Sequence, residues 1–502
     1  MWIFAGAKVI IILYLCFDIM RYMNDIRHKP DRLSARDRVT RLFDEGSFCE
    51  FHPGDDAGVV TGMGKVAGRV VYAYAQDSSV AGGAMSGEMA SRICEVMDMA
   101  LEAGSPVVSL NDSVGAKIQE GVGSLAGYAE IFKRNIKCSG VIPQISGVFG
   151  PCAGGAVYSP ALTDFTVMIR DSSYMFVTGP AVVRTVTGES VGCEELGGAV
   201  VHSSKSGVSH YMAVDEEDGL RWIRDLLSYL PSNNREEVPL KDVCVSDKKN
   251  LISLVNLVPE NPVKAYDMLA LVKEVVDGGE FFDIHGDWAK NIIVGFARID
   301  GRTVGVIANQ PKVFAGVLDV NASRKAARFV RFCDAFNIPL ITFVDVPGFL
   351  CGTSQEHDAI ITHGAKLLYA YGEATVPKVT VTLRKSYGGA HITMACKQLG
   401  GDCNLAWPSA NVAVMGADAA VEILYSKDLC AIDDPVLRKE FADIKKQEYE
   451  TELCDLFKAV DSGYLDEVIR PEETREKIIS ALDALLNKKE CRPWKKHDNL
   501  PL

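Results

Sequence analysis

The sequence predicts an α/β protein built from two tandem copies of one strand-and-helix unit. Three observations carry this. Strand-like and helix-like patterns alternate along the chain, and the order of the first half returns in the second at a nearly constant offset. Glycine is also abundant, at 44 of 502 residues, above the roughly 7% of an average protein. Close backbone approaches are therefore expected.

Taken in order, Leu33 to Glu45 is a basic, helix-like entry. Val70–Ala75 has the pattern of a strand, Ser91–Ala103 has helical spacing, and Pro106–Leu110 is a short apolar strand. In the second half Arg302–Ala308 is expected as a strand and Ser323–Phe336 as a helix. Pro339–Val344 is expected as a strand ending in Asp345. Pro231 to Pro262, rich in Pro, Asn and charge, is the expected linker. Beyond Pro435 the chain should be helical and charged to about Lys489, with breaks at Gly463 and Pro471.

The repeat can be measured. Gly68-Arg69 aligned with Gly301-Arg302 gives an offset of 233, which carries Asp112 onto Asp345. Gly82 falls near Gly316, Pro143 on Pro377 and Gly154-Gly155 on Gly388-Gly389, all at 234. Landmarks so spaced mark an internal duplication of a unit of about 200 residues.

Composition narrows the function. At 48% hydrophobic and 24% charged residues the chain is globular. A net charge of −13 argues against a general nucleic-acid binder while allowing a local basic pocket. The 14 cysteines include no C-x-x-C pair, so zinc ribbons and dithiol redox sites are not expected. Reduced, mostly buried thiols are. Residues 2–17 are apolar except Lys8, but the unbroken run Val9–Phe17 is nine residues, short of the roughly 20 that span a bilayer. Residues 1–22 are expected to be an extension ahead of a start at Met20 or Met23, with a membrane anchor as the alternative. The rest reads as cytoplasmic.

Some glycine motifs imitate other chemistry. Gly62-Met63-Gly64-Lys65-Val66-Ala67 fits a dinucleotide-binding pattern, but a strand follows it where a helix amino terminus is required. Gly188-Glu189-Ser190-Val191-Gly192 fits a nucleophile elbow without the long apolar helix that should follow. No P-loop is present. The stronger candidates are Gly150–Ala156 and Tyr387-Gly388-Gly389-Ala390, each expected after an apolar strand and before a helix. Glycine lets the backbone approach a ligand closely, and the amide N–H groups at a helix start can cradle developing negative charge. Helix–strand packing is the alternative role for either loop alone. Two such loops at equivalent points of a repeat suggest two oxyanion holes.

These stretches resemble the carboxyltransferase subunits of biotin-dependent acyl-CoA carboxylases, propionyl-CoA carboxylase β chains among them. They also resemble the sister α chains of methylmalonyl-CoA and glutaconyl-CoA decarboxylases. The resemblance is carried by Asn111–Val122 (NDSVGAKIQEGV), Ser139–Asp164 (SGVIPQISGVFGPCAGGAVYSPALTD), Leu226–Asn234, Asn291–Gln310, Lys325–Glu356 and His363–Leu424. The ending His497–Leu502 fits as well. The resemblance implies two tandem crotonase-like (ClpP/crotonase) domains. The first, residues 23–235, would bind acyl-CoA; the second, residues 236–502, contributed by a neighbouring subunit, would bind biotin, so the active site would lie at a dimer interface in a hexamer made of three dimers. By motif position Gly154 and Gly155 would hold a thioester enolate, and Gly389 and Ala390 the ureido oxygen of biotin. Gly82, Gly83, His391 and Ile392 would contact substrate. Such chemistry needs donors and positioning more than a tuned side-chain acid or base.

The chain departs from the family pattern at Val114 and Lys117 (usually Gly and Arg), at Cys351 (usually Pro) and at His391-Ile392, where propionyl-CoA carboxylases usually have Tyr-Asp. Ile392 could shape acyl specificity or merely pack the core; for His391 a packed ring is expected over a base. No biotin-attachment motif or ATP-grasp pattern is visible, so biotin is expected on a separate carrier protein. It would be charged by a separate biotin carboxylase or, in a sodium-pumping decarboxylase with a membrane subunit, by the substrate itself. A catalytically silent assembly scaffold is the further alternative.

Overall fold

Two eight-stranded sheets, one in each half of the chain, share one topology. The computed structural model describes residues 32–54, 56–242, 253–490, 493–497 and 499, which form two units dividing between Glu237 and Val238. Residues 1–22 with Met20 and Met23, part of the Pro231–Pro262 linker, and the final Leu500–Leu502 lie outside the described residues.

In the first unit β1 (Cys49–Phe51), β2 (Val59–Val66) and β3 (Arg69–Gln76) run antiparallel. From β3 onward β4 (Val107–Ser113), β5 (Gln144–Ala153), β6 (Phe165–Ile169) and β8 (Tyr211–Ala213) are parallel, and β7 (Tyr174–Phe176) joins only the end of β5. The second unit repeats this with β9 (Phe281–Ile284), β10 (Ile292–Ile299), β11 (Arg302–Asn309), β12 (Leu340–Val346), β13 (Lys378–Tyr387), β14 (Cys403–Ala406), β15 (Asn411–Ala413) and β16 (Glu467–Val468). The duplication foreseen from landmark residues is thus present strand for strand.

The principal helices are α1 (Ala35–Leu42), α2 (Gly87–Ala103), α3 (Val122–Cys138) and α4 (Glu216–Tyr229) in the first unit. The second has α5 (Val320–Ala335), α6 (Ile360–Glu373), α7 (Gly388–Thr393), α8 (Pro435–Leu453), α9 (Leu456–Asp461) and α10 (Thr474–Ala484). Each crossover helix after β3 or β11 begins at an equivalent cap. Ser86 accepts from the Met89 amide at 3.1 Å and Asp319 from that of Ala322 at 2.7 Å, satisfying a donor with no intrahelical partner. Met89, Ile93 and Met97 of α2 pack against Tyr72, Tyr74 and Val107. Across the second sheet Ile478 and Leu482 of α10 join Val379, Val381 and Trp407.

The two imitating glycine motifs are set aside by the structure as by the sequence, and two expectations, on the tail and on the cysteines, need correction. The Gly62-Met63-Gly64 loop is the middle of β2, where a Cβ on Gly62 would stand 2.3 Å from the Cys49 carbonyl oxygen and one on Gly64 2.5 Å from the Phe43 ring. Those glycines serve packing. Gly188 closes a helix in the left-handed region, with φ +77°. The charged tail is not all helix: β16 adds an edge strand to β14. Of the described cysteines, Cys94, Cys138, Cys152, Cys333 and Cys396 are buried, whereas Cys49, Cys351 and Cys430 are exposed.

The two sheets also bend alike. The β4–β5 register jumps between Asn111 and Ser113, and the β12–β13 register between Val344 and Val346. The residue at each jump is a buried aspartate, Asp112 or Asp345, 0% and 1% exposed. In the second unit Asp345 accepts from Arg384 Nε at 2.9 Å and from the Lys385 amide at 3.2 Å, which pins the bulged part of β13. In the first unit the equivalents of Arg384 and Lys385 are Gly150 and Pro151, which offer neither a guanidinium nor an N–H. The cation comes from elsewhere. Arg32 occupies the space a Gly150 side chain would fill, bonding to Asp112, and Arg38 of α1 donates to the same carboxylate at 2.9 Å. Arg38 also makes a two-pronged pair with Glu216 at 2.8 Å. With no amide at Pro151, Asp112 Oδ1 has no hydrogen-bond partner among the described residues.

Removing one member of a buried ion pair strands the other charge, at a cost of about 3–5 kcal/mol. Arg384→Met should therefore lower the urea midpoint of the second unit markedly. Loss of the exposed Arg36–Glu50 pair by Arg36→Met should cost about 1 kcal/mol or less. Equal effects of the two substitutions would contradict the anchoring role of the buried pair.

Candidate active site

Each bulge releases the end of a central strand from the main sheet. Residues Pro151–Ala153 of β5 pair with β7, and Lys385–Tyr387 of β13 with β15. Each spur then turns at a glycine in the left-handed region, Gly154 (φ +62°) or Gly388 (φ +58°), and enters a helical turn. A side chain is strained at such a φ, which explains glycine there. Packing does not explain every glycine in these turns. A Cβ on Gly154 would meet nothing within 4 Å, and one on Gly389 only the Phe349 ring at 3.8 Å. Gly155 is different, because its Cβ would press on the Tyr128 ring at 3.0 Å. The first amides of each turn have no acceptor within it, so both turns offer backbone donors beside open space.

The other expected site residues divide. Gly82 and Gly83 lie in the turn after β3, at φ +74° and +69°. The geometry pairs Gly83, not Gly82, with Gly316. Each would drive a Cβ into the carbonyl oxygen of its buried aspartate, at 2.0 Å from Asp112 and 2.7 Å from Asp345. The glycine landmark therefore runs at the 233 offset of β3 with β11 and β4 with β12, and the expected match at 234 was one residue out. Gly82 accepts from the Val114 amide at 3.3 Å, and a Gly115 Cβ would stand 2.8 Å from the Ala153 carbonyl oxygen. The 113–115 loop thus carries the Gly82-Gly83 turn to the edge where the Gly154 turn lies.

In the second unit His391 and Ile392 line a cavity of about 670 Å³ with Val414, Cys454, Lys458 and Tyr464. Ile392 is 46% exposed, so it is a wall of this cavity and not core packing. His391 Nδ1 lies 2.9 Å from Ser386 Oγ. Burial pushes the His391 pKa below its ordinary value, which keeps the ring neutral near pH 7. Residue patterns did not single out Ser386, Tyr128, Phe349 or the cavity residues of α8 and α9. The last belong to a stretch whose charge reads as a solvated surface.

Two repeated sheets, each ending a central strand in a glycine turn, place the chain in the class of tandem crotonase-like proteins. The profile of the carboxyl transferase domain family matches residues 27–500, and the chain belongs to that family. It is 52% identical over 493 residues to the propionyl-CoA carboxylase carboxyltransferase subunit of Haloferax mediterranei, covering 95% of each chain. It is also 52% identical to the mitochondrial propionyl-CoA carboxylase β chain of Homo sapiens, over 95% of this chain and 90% of that one. The crystal structure of transcarboxylase 12S, described as a hexamer assembly with methylmalonyl-CoA and methylmalonic acid bound, matches with a TM-score of 0.91 at 45% identity. That match covers 95% of this chain and 94% of the other. The propionyl-CoA carboxylase chains are relatives the sequence motifs pointed to; transcarboxylase 12S was not among those named.

Because a Gly389 side chain has room and needs no unusual φ, Gly389→Ala should fold with an unchanged melting temperature. The methyl group would stand over the second turn and lower the carboxyl-transfer rate by about 10², the scale of losing one oxyanion donor. Full activity in a folded variant would remove Gly389 from the site.

Proposed function

We propose that this chain is a carboxyltransferase subunit moving a carboxyl group between biotin on a separate carrier protein and the α-carbon of a short acyl-CoA. The observation that carries this is the glycine turn built twice at equivalent points, supported by the names of the relatives. Gly154 and Gly155 would bind the thioester oxygen and Gly389 and Ala390 the ureido oxygen of biotin, each as negative charge develops there. The donor chemistry suits both ligands, since each is a carbonyl-type oxygen that turns anionic in the reaction.

In the carboxylating direction the carboxyl group leaves the biotin ring nitrogen, the acyl-CoA α-proton passes to that nitrogen, and the α-carbon forms the new C–C bond. Atoms and charge balance without a side-chain base, consistent with a neutral His391, the only imidazole among the described residues that line the cavity. The chain's part is to hold two oxygens, align the reacting atoms and exclude water. The partners are a biotin carboxyl carrier and a biotin carboxylase on other polypeptides, and the assembly is a hexamer like that described for transcarboxylase 12S. Among the described residues no helix is long and apolar enough to cross a membrane; we place the protein in the cytoplasm.

Given methylmalonyl-CoA or malonyl-CoA labelled in the free carboxyl group, the protein should transfer label to free biotin. A folded protein inert with both would sink the proposal. Acyl-CoA should also raise the melting temperature, as a ligand bound only by the folded state must, which a silent scaffold would not show. The apolar Ile392 wall can discriminate by only about 1–3 kcal/mol per methylene, so neighbours in the series acetyl-, propionyl- and butyryl-CoA should differ by no more than about 200-fold. Ile392→Asp should reorder them; unchanged kcat/KM ratios would assign Ile392 no role in specificity.

A further inference from the structure

His391 follows the second glycine turn by one residue and lines the cavity beside it. Its ring is held from behind. Ser386 lies on β13, 1% exposed, between Val346 of β12 and Val412 of β15. Its hydroxyl stands 2.9 Å from His391 Nδ1. A buried hydroxyl has one proton to place, and the ring nitrogen is the acceptor within reach. When Ser386 donates to Nδ1, the neutral ring must carry its proton on Nε2. Nε2 is not among the buried, unpartnered polar atoms of the described residues, so it is not sealed into the protein. The backbone around the ring is equally fixed: Thr393 Oγ1 donates to the Gly389 carbonyl at 2.8 Å and the Met394 amide to that of Ala390 at 3.0 Å.

We propose that His391, fixed in its Nε2–H tautomer by Ser386, is a side-chain hydrogen-bond donor of the second turn, acting on the oxygen of a cyclic-urea ligand alongside the amides of Gly389 and Ala390. This rests on the carboxyltransferase reading and assigns a role within it. A backbone turn alone has its donors fixed by the main chain, whereas an imidazole one residue on can reach a second face of the same oxygen. Ser386 is a positioning residue: it does not face the ligand but decides which nitrogen carries the proton. The cavity also holds Glu452, Asp455 and Lys458, so charged groups are at hand for the rest of the ligand while the ring itself stays neutral.

The test is transfer of the carboxyl group from methylmalonyl-CoA to free biotin by the full chain, with melting temperature as the folding control. His391→Phe should lower kcat/KM for biotin by about 10² and leave KM for methylmalonyl-CoA within about twofold of the wild type. His391→Gln, which keeps an N–H near the Nε2 position, should recover most of the loss. His391→Glu, of the same shape but able only to accept when ionised, should not. Ser386→Ala should cost about tenfold in the same parameter, the scale of one hydrogen bond. A Phe variant as active as the wild type, or Glu restoring activity as well as Gln, would overturn the donor assignment alone. A wild-type protein inert toward free biotin would overturn this assignment and the carboxyltransferase reading together. If the Phe variant does not fold, the Gln and Glu pair still decides.

Discussion

A carboxylate buried at the end of a central strand, matched by an arginine, is the interaction on which both units depend. A charge in that position is costly unless its partner is well placed. Asp345 meets the requirement within its own sheet, through Arg384 and the Lys385 amide. Arg384 in turn donates to the carbonyls of Asn261 and Lys264, each at 3.0 Å, and lies over the Tyr266 ring at 4.7 Å. The pair therefore fixes the start of the second unit as well as its strand. Asp112 reaches the same end by another route, with Arg32 and Arg38 supplied from the entry segment and balanced by Glu216. The two copies conserve the anion and its bulge while exchanging the source of the cation.

The anchored bulge explains where the glycine turns lie. A regular parallel strand would keep its full length in the ladder and leave no free end for a ligand. Here the register jump frees the last residues of β5 and β13, and a short extra strand supports each of them. The left-handed glycine then turns the chain into a helical turn whose first amides have no acceptor within it. Gly154 and Gly388 take the left-handed conformation without steric penalty, between a paired spur and a helical turn.

Much of this was legible in the sequence because duplication turns weak signals into paired ones. Asp112 with Asp345 and Gly154-Gly155 with Gly388-Gly389 stood out by spacing alone, at 233 and 234, and β5 with β13 between them follows at 234. What escaped has a physical reason. Arg38 does not repeat at the offset, since its counterpart is the apolar helix residue Leu271, so no pattern marked it as the partner of Asp112. Gly82 was matched to Gly316 because two adjacent glycines are indistinguishable until one is seen against the Asp112 carbonyl oxygen at 2.0 Å. Ser386 is a small polar residue within a strand, and nothing in its neighbours announces that it faces His391. The cavity walls from α8 and α9 read as surface because the same charged residues that favour water also line a groove.

In the proposed reaction each of the two turns binds one oxygen. A crystal structure with propionyl-CoA and biotin bound tests this most directly. The thioester oxygen should lie about 2.7–3.1 Å from the amide nitrogen of Gly154 or Gly155, and the ureido oxygen at the same distance from that of Gly389 or Ala390. Ligands whose oxygens are met only by side chains, with either turn facing water, would contradict it.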